Sequence, residues 1–137
     1  MMFTTNYYNT LITVAEDCSL GKSEMPPLSQ REKSVARLQF EMLINHPYQF
    51  TSDELLFQVF CTRKGIVESD YEVARTAFFS KGQACLRTSP LAKRYGYGFH
   101  FDQLGKVALV AVESNEYRRL LSLDSLKKVK AMRLARK

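Results

Sequence analysis

The longest uninterrupted run of apolar residues in this sequence, 107–112, is only six residues long. A run of this length suits a strand buried on both faces, and it is far shorter than the roughly 20 residues that a membrane-spanning helix needs. A strand-like segment at 96–101 precedes it, and Gly105 can adopt the left-handed conformation of a turn between them. The pattern predicts a hairpin at 96–112, with residues 107–112 at the centre of a sheet.

A third strand is predicted at residues 10–15, which are rich in β-branched side chains and too few for a helix. We expect this strand to pair with residues 107–112. The glycines at 96 and 98 fit neither the phosphate-binding loop nor the dinucleotide fingerprint, so we interpret them as relieving crowding or admitting a bulge at the start of a strand.

Helix starts are marked by capping residues. Three capping boxes, in which Ser or Thr is followed three residues later by Glu, predict helices that start at residues 29, 51 and 69. Ser89 before Pro90, Ser114 and Asp124 indicate further starts. The apolar residues 55–60 also fit a buried strand, and periodicity alone does not separate the two readings.

These elements predict an α+β fold, with a small antiparallel sheet formed by the N-terminal strand and the 96–112 hairpin, covered by four to five helices. A length of 137 residues suits one domain. We assign residues 1–124 to that domain and residues 125–137 to a basic C-terminal helix or tail, in which Leu126, Val129 and Met132 share one helical face. Three cysteines without a short spacing indicate a reducing compartment.

The net charge of +6 is concentrated near the C-terminus. Residues 118–137 contain eight basic residues and one acid, whereas the rest of the chain has 12 basic and 13 acidic residues. The tail therefore predicts binding to a polyanion such as a nucleic acid. The alternative is a charged terminal helix that docks through its apolar face. The tail residues proposed to bind are Lys127, Lys128, Lys130, Arg133 and Arg136.

A second basic segment, residues 78–100, contains four cations and no acid. A helix that starts at Ser89 and Pro90 would present free amide hydrogens, which together with the cations could hold a phosphate or carboxylate. The alternative is a solvated surface in which Pro90 is an ordinary cap. The candidate ligand-binding residues are Lys81, Arg87, Ser89, Lys93 and Arg94.

His100 is the candidate for acid–base catalysis, because imidazole titrates near neutral pH. On a strand it points away from the face shared by Tyr97, Phe99 and Phe101. A nucleophilic pair with Cys85 requires a proximity that the sequence does not reveal. Two histidines and three scattered cysteines argue against a metal site, and we expect no cofactor.

Several segments together resemble a small bacterial family of unknown function. They are T-T-N-Y at 4–7, L-Q-F-E-M at 38–42, P-Y-Q-F-T-S-D at 47–53, S-K-G-Q-A-C-L-R-T-S-P-L-A-K-R-Y-G at 80–96 and K-K-V-K-A-M-R at 127–133. The resemblance covers the whole chain and implies a bacterial intracellular protein. It implies no activity, ligand or catalytic residue.

We expect a binding or regulatory module whose partner is anionic, either a nucleic acid or a phosphorylated ligand. A small enzyme with His100 in a cleft is the alternative, and an oligomerising protein with an exposed apolar patch is a third possibility. Residues 1–10 lack the features of a secretory signal, so we expect a cytoplasmic protein without a membrane partner.

Overall fold

The computed structural model describes residues 2–18, 21–28 and 33–133. Within these residues five strands form one mixed sheet. In chain order they are β1 Thr10–Thr13, β2 Phe50–Thr51, β3 Tyr97–Phe101, β4 Lys106–Ala111 and β5 Lys127–Lys130. Their order across the sheet is β2-β4-β3-β1-β5, and every pairing is antiparallel except that of β1 with β5. The predicted α+β class is confirmed.

Five α-helices accompany the sheet in the described part of the chain. They are α1 Val35–Ile44, α2 Ser52–Lys64, α3 Tyr71–Phe79, α4 Pro90–Lys93 and α5 Asn115–Ser122, with single 3-10 turns at Glu68–Asp70 and Leu86–Thr88. The helix predicted after residue 51 is confirmed, so the strand reading of residues 55–60 is wrong. Thr51 and Glu54 form both bonds of the capping box, and Gly65 ends α2 in the left-handed conformation.

The other two capping boxes have different outcomes. The box at residues 29–32 lies outside the described residues, and α1 begins at Val35, after Ser34, whose hydroxyl accepts a hydrogen bond from the amide of Arg37. The box at residues 69–72 does not form, because a 3-10 turn occupies Glu68–Asp70 and Asp70 makes no side-chain cap. The helix that this box predicted is nevertheless present as α3.

The main core lies on one face of the sheet, as the alternation along β3 predicts. Tyr97, Phe99 and Phe101 point into it and pack against α1, α2 and α4. The opposite face is covered by α5, whose Tyr117 and Leu120 pack on residues of β1 and β4. A separate small cluster lies between α2 and α3. Its buried members are Phe57, Cys61 and Phe79.

Gly98 lies where β3 passes closest to α5. A Cβ atom at this position would lie 2.8 Å from a ring carbon of Tyr117 and 2.9 Å from the carbonyl oxygen of Ile12. Both distances are too short for a real Cβ contact. The interpretation that this glycine relieves crowding is therefore confirmed.

The predicted hairpin is confirmed as β3 and β4, and Gly105 has a φ of +80° in the turn between them. The predicted partner of the N-terminal strand is wrong. Thr10 of β1 pairs with Phe101 of β3, so β3 is the central strand. On its other side β4 pairs with β2, which lies directly before α2. A strand of two residues is too short to be recognised from the sequence pattern.

The predicted C-terminal helix is wrong, because residues Lys127–Lys130 form the edge strand β5. Leu126 and Ala131 are both buried but belong to clusters on opposite faces of the sheet, as the twofold alternation of a strand allows. The spacing of Leu126, Val129 and Met132 fits one face of a helix, whereas in a strand it places successive members on opposite faces. The parallel pairing of Lys127 with Thr10 decides between them. No helix in the described residues has the length and apolar character that crossing a membrane requires.

Candidate functional site

A cavity of about 260 Å³ opens between the start of α1 and the end of α4. We call it the basic cavity, because its described lining residues include two cations and no acid. The lining residues are Ser34, Val35, Ala36, Pro90, Lys93, Arg94 and Tyr95. Within the described residues, neither Lys93 nor Arg94 forms a side-chain hydrogen bond or an ion pair. The two charges are therefore available to a ligand.

The start of α1 adds to this positive potential. The first amides of a helix have no intrahelical acceptor, and the helix dipole makes this end positive. The hydroxyl of Ser34 accepts from the amide of Arg37, which leaves the amides of Val35 and Ala36 without a partner inside the helix. The first turn of α1 contains no acidic residue to offset the dipole.

Ser89, which the sequence placed in the anion site, is instead part of the core. It is buried, and its hydroxyl donates a hydrogen bond of 2.6 Å to Oε1 of the equally buried Gln39. The hydroxyl oxygen of Ser89 also accepts from the amide of Leu91 and so caps α4. This pair joins α1 to α4 and leaves no free group at Ser89 for a ligand.

The remaining predicted ligand-binding residues are separated from the basic cavity. Nε of Arg87 donates to the carbonyl oxygen of Lys130 at 2.7 Å, and the amide of Met132 donates to the carbonyl oxygen of Arg87. Arg87 thus holds the outer edge of β5 against the body. Lys81 lines a different cavity, between α2 and α3. Of the five predicted residues, only Lys93 and Arg94 are brought together around one cavity.

Most of the described tail cations have partners within the protein. Lys130 and Arg133 both bind the carboxylate of Glu16, and the hydrogen bonds from these cations lower the pKa of Glu16. Lys128 donates to the carbonyl oxygen of Leu123. Among the described tail cations only Lys127 forms no side-chain hydrogen bond or ion pair, and Arg136 lies outside the described residues.

His100 lies on the face of the sheet covered by α5, and its partner is Tyr48. The Tyr48 hydroxyl lies 2.7 Å from Nδ1 of His100, and the two rings meet edge to face. Burial lowers the pKa of His100, an effect opposed by the nearby carboxylates of Glu116 and Asp102, and burial also raises the pKa of Tyr48.

Tyr48 was missed in the sequence because it is 52 residues from His100. In the structure Tyr48 stands out by its backbone conformation, because a φ of 59° is unusual for a residue with a large side chain. Cavities of about 220, 260, 310 and 440 Å³ are lined by described residues, and His100 does not line any of these four.

Cys85 and His100 are not brought together. The Sγ atom of Cys85 lies 3.3 Å from the hydroxyl of Tyr7, which packs on the main core, whereas His100 is on the opposite face of the sheet. Burial, followed by the interaction with Cys85, raises the pKa of Tyr7 to about 12. No group of three potential metal ligands occurs among the described residues.

The T-T-N segment that carries part of the family resemblance forms a structure that we call the N-terminal clasp. Asp53, in the first turn of α2, accepts hydrogen bonds of 2.7–2.8 Å from the Thr4 hydroxyl and from the amide and hydroxyl of Thr5. The amide of Asp53 donates to Oδ1 of Asn6, and the Thr5 hydroxyl also lies 2.8 Å from that of Ser52. The clasp attaches the N-terminal segment to α2, which is a structural role.

Comparison with known proteins supports the resemblance. Residues 2–137 match a family described as "Family of unknown function (DUF6157)". Neither the curated proteins nor the solved structures contain a match. Since the match covers nearly the whole chain, this protein belongs to the family of unknown function DUF6157.

Proposed function

We propose that this protein is a binding module for a small phosphorylated ligand, which it holds in the basic cavity through Lys93, Arg94 and the first amides of α1. The observation that carries the proposal is that the described lining of this cavity contains two cations, the positive end of a helix and no acid. A helix start with free amides is suited to a phosphate group, because the amide hydrogens and the dipole both attract negative charge.

The size of the cavity and the state of the tail favour a small ligand over a nucleic acid. A volume of about 260 Å³ is close to the lower limit of ligand pockets, roughly 300 Å³. Nucleic-acid binding requires several cations along the path of the backbone. In the tail, Lys130 and Arg133 are already bound to Glu16, which interrupts such a path.

A cytoplasmic location is part of the same proposal. Cys18, Cys61 and Cys85 are all unpaired, as is usual for proteins of a reducing compartment.

The test is isothermal titration calorimetry with inorganic phosphate and pyrophosphate. We expect the double variant Lys93→Ala, Arg94→Ala to bind at least about tenfold more weakly, since removing a charged hydrogen-bonding partner costs roughly 1.5–3 kcal/mol. The matched control is Arg118→Ala with Lys127→Ala, which removes the same charge from exposed positions outside the cavity. Equal weakening in both double variants would show a general effect of net charge and would contradict the proposal.

A second candidate function is acid–base catalysis by His100, favoured by its contact with the hydroxyl of the conformationally unusual Tyr48. A base with a lowered pKa is neutral at pH 7 and can accept a proton from a substrate. The test is to measure the consumption of candidate substrates by the wild-type protein and by the variant His100→Gln. A compound that only the wild-type protein consumes would support this function. Equal consumption by both proteins would reject it.

A further inference from the structure

Helix α3 leaves most of its side chains at least partly exposed. Of its nine residues only Phe79 is buried, and Val73, a large apolar residue, is 77% exposed. Val67, just before the 3-10 turn that precedes α3, is 59% exposed. Apolar surface exposed in this way is available for contact with another protein.

Beside α3 lie two cavities that share a wall. The rings of Phe60 and Phe78, whose centroids are 4.7 Å apart, contribute to both. The larger cavity, of about 440 Å³, is lined by small residues of α3 such as Ala77 and ends at Lys81. The smaller, of about 220 Å³, lies along α2 and includes Lys64. Both cavities are mainly apolar.

Most charged side chains around α3 are separated along its axis, and the exception, Arg75 in the middle of the helix, packs on the rings of Phe57 and Phe79. Glu68, Asp70 and Glu72 are exposed at its start, and Lys81 is exposed just after its end. Within the described residues none of these four side chains forms an ion pair or a hydrogen bond. In a twofold dimer with antiparallel helices, the acidic start of α3 in one copy would lie beside the basic end of α3 in the other copy, so the two surfaces are complementary in charge.

We propose that two copies of this chain associate through α3 across a twofold axis, with the two helices antiparallel and crossing at Ala77. Val73 lies four residues before Ala77 and Lys81 four residues after it, so a twofold axis at Ala77 places Val73 of each copy beside the partner copy's Lys81. Val73 then enters the larger cavity of the other copy, and Glu72 faces the partner copy's Lys81.

The association is expected to be weak. A helix of nine residues with its flanking turn offers less than the roughly 800 Å² per partner of a standard interface. The protein should therefore be in a monomer–dimer equilibrium that depends on concentration. The larger cavity beside α3 shares no lining residue with the basic cavity. The variant Lys93→Ala, Arg94→Ala is therefore expected to dimerise normally.

Sedimentation velocity over a wide range of protein concentration tests the proposal. We expect wild-type protein to shift from monomer to dimer as its concentration rises. Val73→Lys removes two symmetry-related apolar contacts and places like charges together, so the dissociation constant should rise about a hundredfold or more. The control Leu104→Lys makes a similar change at a residue 66% exposed in the β3–β4 turn and should dimerise as wild type.

A charge exchange tests the antiparallel orientation. Glu72→Lys and Lys81→Glu should each weaken self-association, whereas an equimolar mixture of the two variants should form a heterodimer in which both contacts join opposite charges. The double variant Glu72→Lys, Lys81→Glu should also dimerise. A wild-type protein that stays monomeric at every concentration, or a Val73→Lys variant that dimerises like wild type, would overturn the proposal.

Discussion

The N-terminal clasp and the basic cavity both lie at the start of a helix, but the charges beside the two helix starts are opposite in sign. In α2 the first turn carries Asp53 and Glu54, and Asp53 is buried among hydrogen-bond donors from the N-terminal segment. In α1 the first turn has no acid, and the nearby Lys93 and Arg94 have no partner in the described structure. A helix start that supplies its own anion is closed, whereas one with no acid in its first turn and unpaired cations beside it is suited to an anion from outside.

The largest effect is expected from breaking the closed helix start. Asp53→Ala leaves both donors of the buried Thr5 without this acceptor, removes the partner of the exposed Thr4 hydroxyl, and should lower the free energy of unfolding by about 3 kcal/mol. Urea denaturation measures this loss. The control Asp70→Ala removes an exposed carboxylate and should change stability by less than about 0.5 kcal/mol. Equal stabilities for the two variants would show that the clasp does not stabilise the fold.

Local signals in the sequence predicted much of the fold. The capping box of Thr51 and Glu54 and the turn glycine at 105 act within a few residues, and both form as expected. The strand β5 was read as a helix because its decisive contact is with β1, more than a hundred residues earlier in the chain. Spacing within residues 125–133 contains no information about that partner.

The candidate site was predicted less well for the same reason. The sequence grouped Ser89 and Arg87 with Lys93 and Arg94 because they are neighbours in the chain. Their actual partners are distant in sequence, since Ser89 binds Gln39 and Arg87 binds the backbone of Lys130. Which polar residues are already satisfied is decided by tertiary contacts, so composition and spacing could identify the basic segment but not its open part.

Ser89 is close in sequence to the open site but has the satisfied hydrogen bonds of the closed one. Ser89→Ala leaves Oε1 of the buried Gln39 without a donor and removes the cap of α4, so we expect a loss of about 2 kcal/mol in urea denaturation. Phosphate binding, measured by calorimetry, should stay within about twofold of wild type because Ser89 does not line the basic cavity. Lost binding with unchanged stability would place Ser89 in the ligand site instead.

His100 is intermediate between the two cases, since it is half-buried and has one described partner, the hydroxyl of Tyr48. Burial lowers its pKa below the ordinary value of 6.5, so the unfolded chain binds a proton at a higher pH than the folded one. The stability contributed by the neutral ring is therefore complete above pH 6.5 and falls as the pH drops, until the folded protein is also protonated. An NMR titration of the ring should give a midpoint below 6.5, and His100→Gln should reduce the loss of stability in urea denaturation between pH 7.5 and 5.5. A midpoint at or above 6.5 would show that Glu116 and Asp102 outweigh burial, and His100 would then be a charged group at an open surface rather than a partly closed one.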